Sequence, residues 1–375
     1  MRCALIEYTS HHDQLFPSIA RLCNALNIEL DIYTNRKNLE KDVFHFCEGL
    51  SYRLFEVNNK GSVLKELIHQ YRKYDFIILN SLEPNNVLMR FQVIGYRGKM
   101  LFITHNAETL LKNPRYKTLL RNHKASALVL NAFIAETLQK EGVNAQVLDP
   151  TYLGHFKPKW IDAEFPTIFG VQGNFEYSRR DYLCLLPAVK SLVESGSSHF
   201  KIHFIGNSKT ADALDFKERA EREGLSDYFV FILEAVQYSD YYQALNQCDF
   251  ILPLIHSEYE PCHAYLKMKL TSSLPLAIAM NKLPILPSEV ANLYQLHDAS
   301  INYRCAQVGE GMKRALHLDV AEQQRLLASL SDCSERLFHQ SLTEFEKALT
   351  ALDIQVKQPA YSLERSASVS KEFSE

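Results

Sequence analysis

Short apolar runs alternate with segments of helical periodicity along most of the chain. Between the runs, apolar residues recur three and four positions apart, as over 16–26 and 63–71. Strand–helix alternation of this kind predicts parallel sheets with helices on both faces. We therefore expect an α/β protein with two doubly wound, Rossmann-like domains that face each other across a cleft. The predicted strands span 3–8, 28–34, 52–57, 76–80, 100–104, 127–130 and 145–148 in the first half, and 167–171, 201–205, 229–233, 250–254, 283–286 and 299–303 in the second.

The domain boundary is predicted where the periodicity fails. Residues 149–164 form a segment without a clean period, and prolines interrupt it and its close neighbour at 150, 158 and 166. We place the first domain at 1–155 and the second at 165–350. One or two long helices are expected over 320–352, and the polar, Ser-rich stretch 355–375 is predicted to be a disordered tail.

Composition narrows the class of protein. Hydrophobic residues make up 46% of the 375 positions and charged residues 23%, which is typical of a globular protein. No apolar stretch approaches the roughly 18 residues of a membrane span, and residues 1–7 read as a strand instead of a signal peptide. The eight cysteines form no CxxC pair, which favours reduced thiols in a cytoplasmic protein over disulfides or a zinc site.

Charge is distributed unevenly. Residues 1–155 carry 19 Lys and Arg against 15 Asp and Glu, although the whole chain has a net charge of −3. Lys117, Arg121 and Lys124 share one face of a predicted helix, either as a solvated face or as a peripheral contact with anionic lipid headgroups. Nucleic acid is not an expected partner, because the overall balance is acidic and no stacking-aromatic motif accompanies these charges.

Three loops of the second half end a strand with residues that suit a phosphate. In doubly wound domains ligands bind beyond the carboxyl ends of the strands, where glycine permits close approach and hydroxyls, Arg or Lys bind anions. Each loop alone could hold ordinary turn glycines and helix caps, but together they predict a phosphate-bearing ligand. The candidate residues are Gly173, Asn174 and Arg179 in the first loop, Gly206 and Lys209 in the second, and Glu258, Glu260, Lys269, Thr271, Ser272 and Ser273 after the fourth strand.

Histidines follow two strands of the first half. His105 ends the fifth strand, and His11 and His12 follow the first, so all three are expected to face the cleft. Adjacent histidines rarely direct both rings to one ion, and no further ligands stand at suitable spacing. We therefore expect no metal.

These features resemble the GT-B glycosyltransferases, and most closely the retaining group called family four, over about residues 1–350. Gly173 matches the family's glycine after the first strand of the second domain, Asn174 replaces its arginine, and Arg179 stands at its lysine position. Residues 204–207 and 248–253 match two further family segments in part. The resemblance implies that the first-domain His105 lies near the reacting sugar. The family's pair of glutamates is not intact, because Leu266 and Met268 stand eight residues after Glu258 and Glu260.

The resemblance implies a metal-independent hexosyltransferase of polysaccharide biosynthesis that needs no cofactor. It would move a sugar from a nucleotide diphosphate sugar to a glycan or lipid-linked saccharide, in the cytoplasm or at the inner face of the membrane. The second domain would hold the donor, and His11 and His12 would lie on the acceptor side. Two alternatives stay open: a non-catalytic GT-B assembly partner of a transferase, which the broken glutamate pair favours, and a nucleotide-sugar epimerase, which would need carboxylates in the cleft.

Overall fold

The computed structural model describes residues 1–7, 9, 12–41, 43–57, 73–81, 98–114, 120, 125–157, 159, 164–232, 238–305 and 307–356. They form two parallel sheets, of seven and six strands, with helices on both faces. The predicted architecture is confirmed, and a strand lies at each predicted position, although one is shorter than predicted. His11, Lys117, Arg121, Lys124 and the predicted tail beyond residue 356 lie outside the described residues. Among the helices described, none is long and apolar enough to cross a bilayer.

The first sheet has the strand order β3-β2-β1-β4-β5-β6-β7, and all neighbouring strands are parallel. The order reverses between β1 and β4, where a crevice opens beyond the carboxyl ends of the strands. Most of these strands are continuous apolar runs because helices cover both faces. The strands are β1 (Arg2–Glu7), β2 (Glu29–Thr34), β3 (Arg53–Glu56), β4 (Phe76–Leu79), β5 (Lys99–Thr104), β6 (Ala125–Val129) and β7 (Ala145–Val147). The helices described here are α1 (Phe16–Ala25), α2 (Arg36–Glu40), α3 (Ala107–Lys112) and α4 (Ala132–Lys140).

The second sheet has the order β10-β9-β8-β11-β12-β13 and is also parallel. Its order reverses between β8 and β11, which places a second crevice beyond the carboxyl ends of these strands. The strands are β8 (Thr167–Gln172), β9 (Phe200–Ile205), β10 (Phe229–Ile232), β11 (Phe250–Ile251), β12 (Leu283–Pro287) and β13 (Ile301–Tyr303). The helices are α5 (Leu185–Glu194), α6 (Ala211–Arg222), α7 (Tyr238–Gln247), α8 (Ala264–Lys267), α9 (Ser273–Ala279), α10 (Ser288–Leu293), α11 (Val308–Leu316) and α12 (Val320–Thr350).

The fourth strand of the second half is shorter than the predicted 250–254. Strand β11 ends at Ile251, and Leu254 adopts a left-handed conformation with φ of 53°. Pro253 cannot donate to a ladder, and the carbonyl of Leu254 accepts from the amide of Asp181 instead of a strand. The apolar run therefore continues as a buried loop toward the cleft.

Helix α12 joins the two domains. It is one helix of 31 residues, which begins at an Asp319 cap and returns to pack against the first domain. The hydroxyl of Ser341 accepts from the amide of Asp149 at 2.8 Å, and Arg21 pairs with Glu335 at 2.9 Å. The last helix of the predicted second domain thus also covers the first.

Gly206 supports the neighbouring loop of the second domain. Its φ is +143°, and a Cβ there would lie 2.5 Å from the carbonyl oxygen of Gly173. Gly196 also has a positive φ, +87°, but a Cβ at that position would meet nothing within 4 Å. A comparison of substitutions at these two glycines therefore separates the effect of backbone strain from that of a steric clash.

We expect Gly206→Ala to lower the free energy of unfolding by roughly 2–4 kcal/mol, because it adds a backbone clash to a strain of about 1–3 kcal/mol. Gly196→Ala should lose only about 1 kcal/mol, from the left-handed backbone alone. Urea denaturation of both variants measures the difference. Equal losses would show that the Gly206–Gly173 contact does not limit the residue at 206.

Candidate active site

A cavity of about 220 Å³ lies between the carboxyl ends of the two sheets. Residues of both domains line it, together with Pro150 and Tyr152 of the connecting segment. The structure brings most of the sequence-predicted residues to this cleft. Those that line it are His12, His105, Gly173, Asn174, Arg179, Lys269, Thr271 and Ser272.

Arg180 is a buried charge at the cleft without a counter-ion among the described residues. Its side chain is buried, and its Nη2 donates to the Ser273 hydroxyl at 2.7 Å and to Gln172 Oε1 at 3.1 Å. Its Nε has no hydrogen-bond partner, and no carboxylate pairs with it within the described residues. A buried charge is costly unless it is paired. The site therefore presents a desolvated cation to an anion that enters the cleft.

Arg179 lies beside it but has its own counter-ion. Its Nε contacts Glu176 Oε2 at 2.5 Å, and its side chain is 45% exposed. Asn174 donates to the other oxygen of Glu176 at 3.2 Å. Arg179 was predicted as a donor-binding residue from its position in the resemblance. The buried position without a counter-ion belongs instead to Arg180, which was not predicted.

Gln172, at the end of β8, organises the hydroxyls around Arg180. Its Oε1 accepts from the hydroxyls of Ser273 at 2.9 Å and Ser272 at 3.3 Å, and its Nε2 lies 3.1 Å from Ser272 Oγ. Thr271 Oγ1 is buried at the cleft and has no hydrogen-bond partner among the described residues. Such an atom is suited to a ligand, because burial without a partner costs about 1–3 kcal/mol.

Two backbone features bring the loops close together. Gly173 has a φ of +104°, and a Cβ there would lie 3.4 Å from Arg180 Nη2, so the loop passes directly over the guanidinium. Across the cleft, the amide of Ala107 donates to the carbonyl of Met268 at 2.8 Å, and Asn106 bridges to Lys269. This short antiparallel contact holds the loop of His105 against the loop of Lys269.

His105 is neutral and its tautomer is fixed. Its Nε2 lies 2.7 Å from the carbonyl oxygen of Asn80 and must donate, since a carbonyl only accepts. Burial lowers the pKa of His105 to about 4, and the charge of Lys269 acts in the same direction. The ring stacks on that of His12, with centroids 3.5 Å apart. Nδ1 is therefore a hydrogen-bond acceptor.

Glu7 supports the two histidines from beneath. This fully buried carboxyl, at the end of β1, accepts from the Thr9 amide at 2.8 Å, the Thr9 hydroxyl at 2.7 Å and Asn80 Nδ2 at 3.1 Å. The same Nδ2 donates to the carbonyl of His12 at 2.8 Å. Burial raises the pKa of Glu7 to about 7, although the hydrogen bonds oppose the shift. Nothing in its apolar strand marked this residue in the sequence.

Four other predicted site residues lie away from the cavity lining, and a fifth, Ser273, is buried outside the lining in contact with Arg180. Gly206 and Lys209 occupy the loop after β9, and Lys209 is exposed. Glu258 and Glu260 lie in the loop after β11, where both are exposed. A role for these residues in donor binding stays a prediction, as does the acceptor-side role of His11.

A buried polar chain lies behind the Arg180 loop. Asp181 Oδ2 contacts His256 Nδ1 at 2.8 Å, and His256 Nε2 contacts the Tyr303 hydroxyl at 2.7 Å. Asp181, Cys184 and His256 place three possible metal-ligand atoms within 4.8 Å of one another. Because hydrogen bonds already use both ring nitrogens, the chain is explained as a support that fixes the loop after Arg180.

Comparison with known proteins identifies the fold. No protein-family model and no curated protein sequence matches the chain. Among solved structures, a glycosyltransferase from Rickettsia africae superposes with a TM-score of 0.60 at 12% identity, over 94% of this chain and 99% of that one. The HepE protein of Anabaena in complex with UDP gives 0.60 at 11% identity, over 94% and 100%.

A third similar structure is an alpha-glucosyltransferase in complex with UDP and a 13-mer DNA. It gives a TM-score of 0.59 at 12% identity, over 94% of this chain and 99% of that one. At this level of identity the likeness establishes the fold and leaves the chemistry to the residues of the cleft. The chain has the GT-B fold that these glycosyltransferases share.

Proposed function

We propose that the protein is a metal-independent hexosyltransferase that takes its sugar from a nucleotide diphosphate donor. The observation that carries this proposal is the buried, uncompensated guanidinium of Arg180 at the cleft. A bound diphosphate would supply the negative counter-charge that this guanidinium lacks. UDP is bound in two of the similar structures named above, HepE and the alpha-glucosyltransferase.

The cleft offers charge stabilisation to a departing diphosphate. Arg180, Lys269 and the free hydroxyl of Thr271 converge from neighbouring loops of the second domain. Fixed donors in a water-poor site stabilise developing negative charge more strongly than water does. These three residues would therefore lower the barrier to departure of the diphosphate.

On the opposite wall, His105 would contact the transferred sugar. Its neutral Nδ1 can accept a hydrogen bond from a sugar hydroxyl, whereas a ring with a pKa of about 4 holds no proton to donate from that atom at neutral pH. We therefore assign it a role in orienting the sugar. His12, stacked on it, would lie toward the acceptor.

The finer assignments belong to the same proposal. The acceptor would be a glycan or a lipid-linked saccharide, and the protein would act in the cytoplasm. A peripheral membrane contact through Lys117, Arg121 and Lys124 stays a prediction from the sequence.

A non-catalytic assembly partner is the second candidate. The exposure of Glu258 and Glu260, away from the cavity lining, favours it. An epimerase is not supported in the same way, because the described residues that line the cavity include no carboxylate. Mass detection of nucleotide released from a panel of nucleotide sugars separates the candidates. If the protein binds a nucleotide tightly but frees no nucleotide from any nucleotide sugar in the presence of acceptors, the assembly partner is favoured.

The adjacent arginines provide a matched test of donor binding. We expect Arg180→Gln to weaken binding of a nucleoside diphosphate by roughly 1.5–3 kcal/mol, the scale of a charge-assisted hydrogen bond. Arg179→Gln should lose less, because Glu176 already neutralises Arg179. Isothermal titration with UDP and with uridine measures both variants.

Binding of uridine, which lacks phosphates, should change little in either variant. Melting temperatures of the two variants establish whether they are folded under the conditions of titration. Equal losses for UDP and uridine in folded Arg180→Gln would contradict the assignment of Arg180 to the diphosphate.

His105→Ala should reduce turnover at least tenfold, about 1.4 kcal/mol in barrier, and leave UDP affinity nearly unchanged. The reason is that His105 would contact the sugar and not the nucleotide. Initial rates of nucleotide release, with UDP titration as the control, measure the two effects separately. Near-normal turnover, or simple unfolding of the variant, would remove His105 from the active site.

The buried carboxyl of Glu7 makes a prediction about pH. Its pKa of about 7 in the folded protein exceeds the ordinary value of 4.5, so the folded state binds the proton more tightly. This group's contribution therefore makes the free energy of unfolding fall as pH rises from 4.5 to 7. In Glu7→Gln the fall should be smaller by roughly 1–3 kcal/mol over that window.

Urea denaturation of wild type and Glu7→Gln at pH 4.5, 5.5, 6.5 and 7.5 tests this expectation. Asp149, whose pKa burial also raises to about 7, is present in both proteins and cancels in the difference. A difference between the two proteins that does not change with pH would show that Glu7 titrates normally.

A further inference from the structure

A second cavity lies at the opposite edge of the second sheet from the cleft. Its volume is about 640 Å³, and it is formed by the amino ends of β8 and β9, the end of α7 and the segment between the domains. We call it the lysine pocket, after Lys157, Lys159 and Lys201 in its lining. The function proposed for the cleft uses none of these residues.

The lysine pocket carries more positive charge than its carboxylates neutralise. Lys159 pairs with the buried Asp249 at 2.8 Å, and Asp249 also accepts from the amide of Ile168. Lys201 donates only to the neutral carbonyl of Asp227, and Lys157 is exposed with no ion pair to any residue in the described ranges. Two ammonium groups at one cavity therefore lack a counter-ion in the part of the chain that the structure describes.

A further cation lies behind the wall. Lys282 is 1% exposed, and its Nζ donates to the carbonyl of the pocket-lining Asn246 at 2.6 Å. Burial lowers the pKa of Lys282 to about 8, so the amine is still mostly charged at neutral pH. Its charge adds to the positive potential inside the cavity.

His203 contributes a buried polar atom without a partner. It lines the lysine pocket from β9, and its Nδ1 is inaccessible to solvent and makes no hydrogen bond to any described residue. Burial lowers the pKa of His203, and Lys159 and Lys201 lower it further, which favours the neutral form of the ring. A turn of the neutral ring would bring Nδ1–H to an anionic oxygen in the cavity and give this atom a partner.

An apolar wall stands beside these polar groups. Phe165, Pro166 and Ile168 line the same cavity, and the Phe165 side chain is 65% exposed. An exposed aromatic ring next to unpaired ammonium groups suits a ligand that is anionic at one end and apolar at the other.

We infer that the lysine pocket binds the phosphate group of an organic phosphate ester whose apolar part packs on Phe165. Lys157 and Lys201 neutralise the phosphate, and His203 donates to one of its oxygens. Because the pocket and the cleft lie at opposite edges of one sheet, the two ligands do not compete for space. This inference does not depend on the function proposed for the cleft.

Phenyl phosphate is the probe, because it combines the two chemistries, and inorganic phosphate and phenol are its separate halves. We expect wild type to bind phenyl phosphate about tenfold more tightly than inorganic phosphate in isothermal titration, and Phe165→Ala to abolish that preference. The double variant Lys157→Ala/Lys201→Ala should bind both phosphates at least about tenfold more weakly.

The matched control is Lys190→Ala/Lys313→Ala. It removes the same charge from exposed lysines of α5 and α11. These two helices pack against each other, and neither lysine lines the lysine pocket. Arg180→Gln serves as a second control, because it removes the cleft's buried cation and leaves the lysine pocket intact. Both controls should retain phenyl phosphate affinity.

Flotation with phosphatidic acid vesicles and phosphatidylcholine vesicles distinguishes a lipid headgroup from a soluble ester as the source of the phosphate. Binding to anionic vesicles that is lost in Lys157→Ala/Lys201→Ala would identify a lipid, and soluble binding alone would identify a free ester. The inference is overturned if wild type does not bind phenyl phosphate, or if Arg180→Gln loses binding while the lysine double variant keeps it. Equal losses in the two lysine double variants would overturn it as well.

Discussion

The desolvation of one guanidinium organises the candidate active site. Burying an unpaired charge costs several kcal/mol, so the groups around Arg180 must offset that cost without neutralising it. Gln172 and Ser273 do so with neutral oxygens, and the chain from Asp181 to Tyr303 fixes the loop from behind. Neutral acceptors hold the guanidinium in place and leave its charge for a ligand.

The same requirement explains the backbone of the neighbouring loops. A Cβ at Gly173 would lie 3.4 Å from Arg180 Nη2 on a left-handed backbone, and a Cβ at Gly206 would displace the Gly173 loop. Gly206 thus bears on the cleft without lining it, which gives one physical reason for a glycine there. The direct role of Gly206 in donor binding, which the sequence predicts, does not follow from this contact and stays a prediction.

The fold followed from the sequence because the signal for it is local. A parallel strand covered on both faces is a continuous apolar run, and its neighbours in the chain are helices with a clear period. The predicted strand over 250–254 was too long because apolar character alone does not distinguish a strand from a buried loop. The turn at Leu254 depends on its contact with Asp181, 73 residues earlier in the chain.

The candidate site could be predicted from the sequence only in part, because the burial of a side chain and its ion pairs depend on residues far away in the chain. Arg179 and Arg180 are equivalent in the sequence, and they differ because Glu176 reaches one while Ser273, 93 residues away, holds the other. Glu7 lies in an apolar strand and carries no local signal, and its partner Asn80 directly follows a different strand, β4. The sequence therefore predicts which loops meet at the cleft. Which charge there lacks a counter-ion depends on segments that are distant in the chain, so it is seen only in the folded structure.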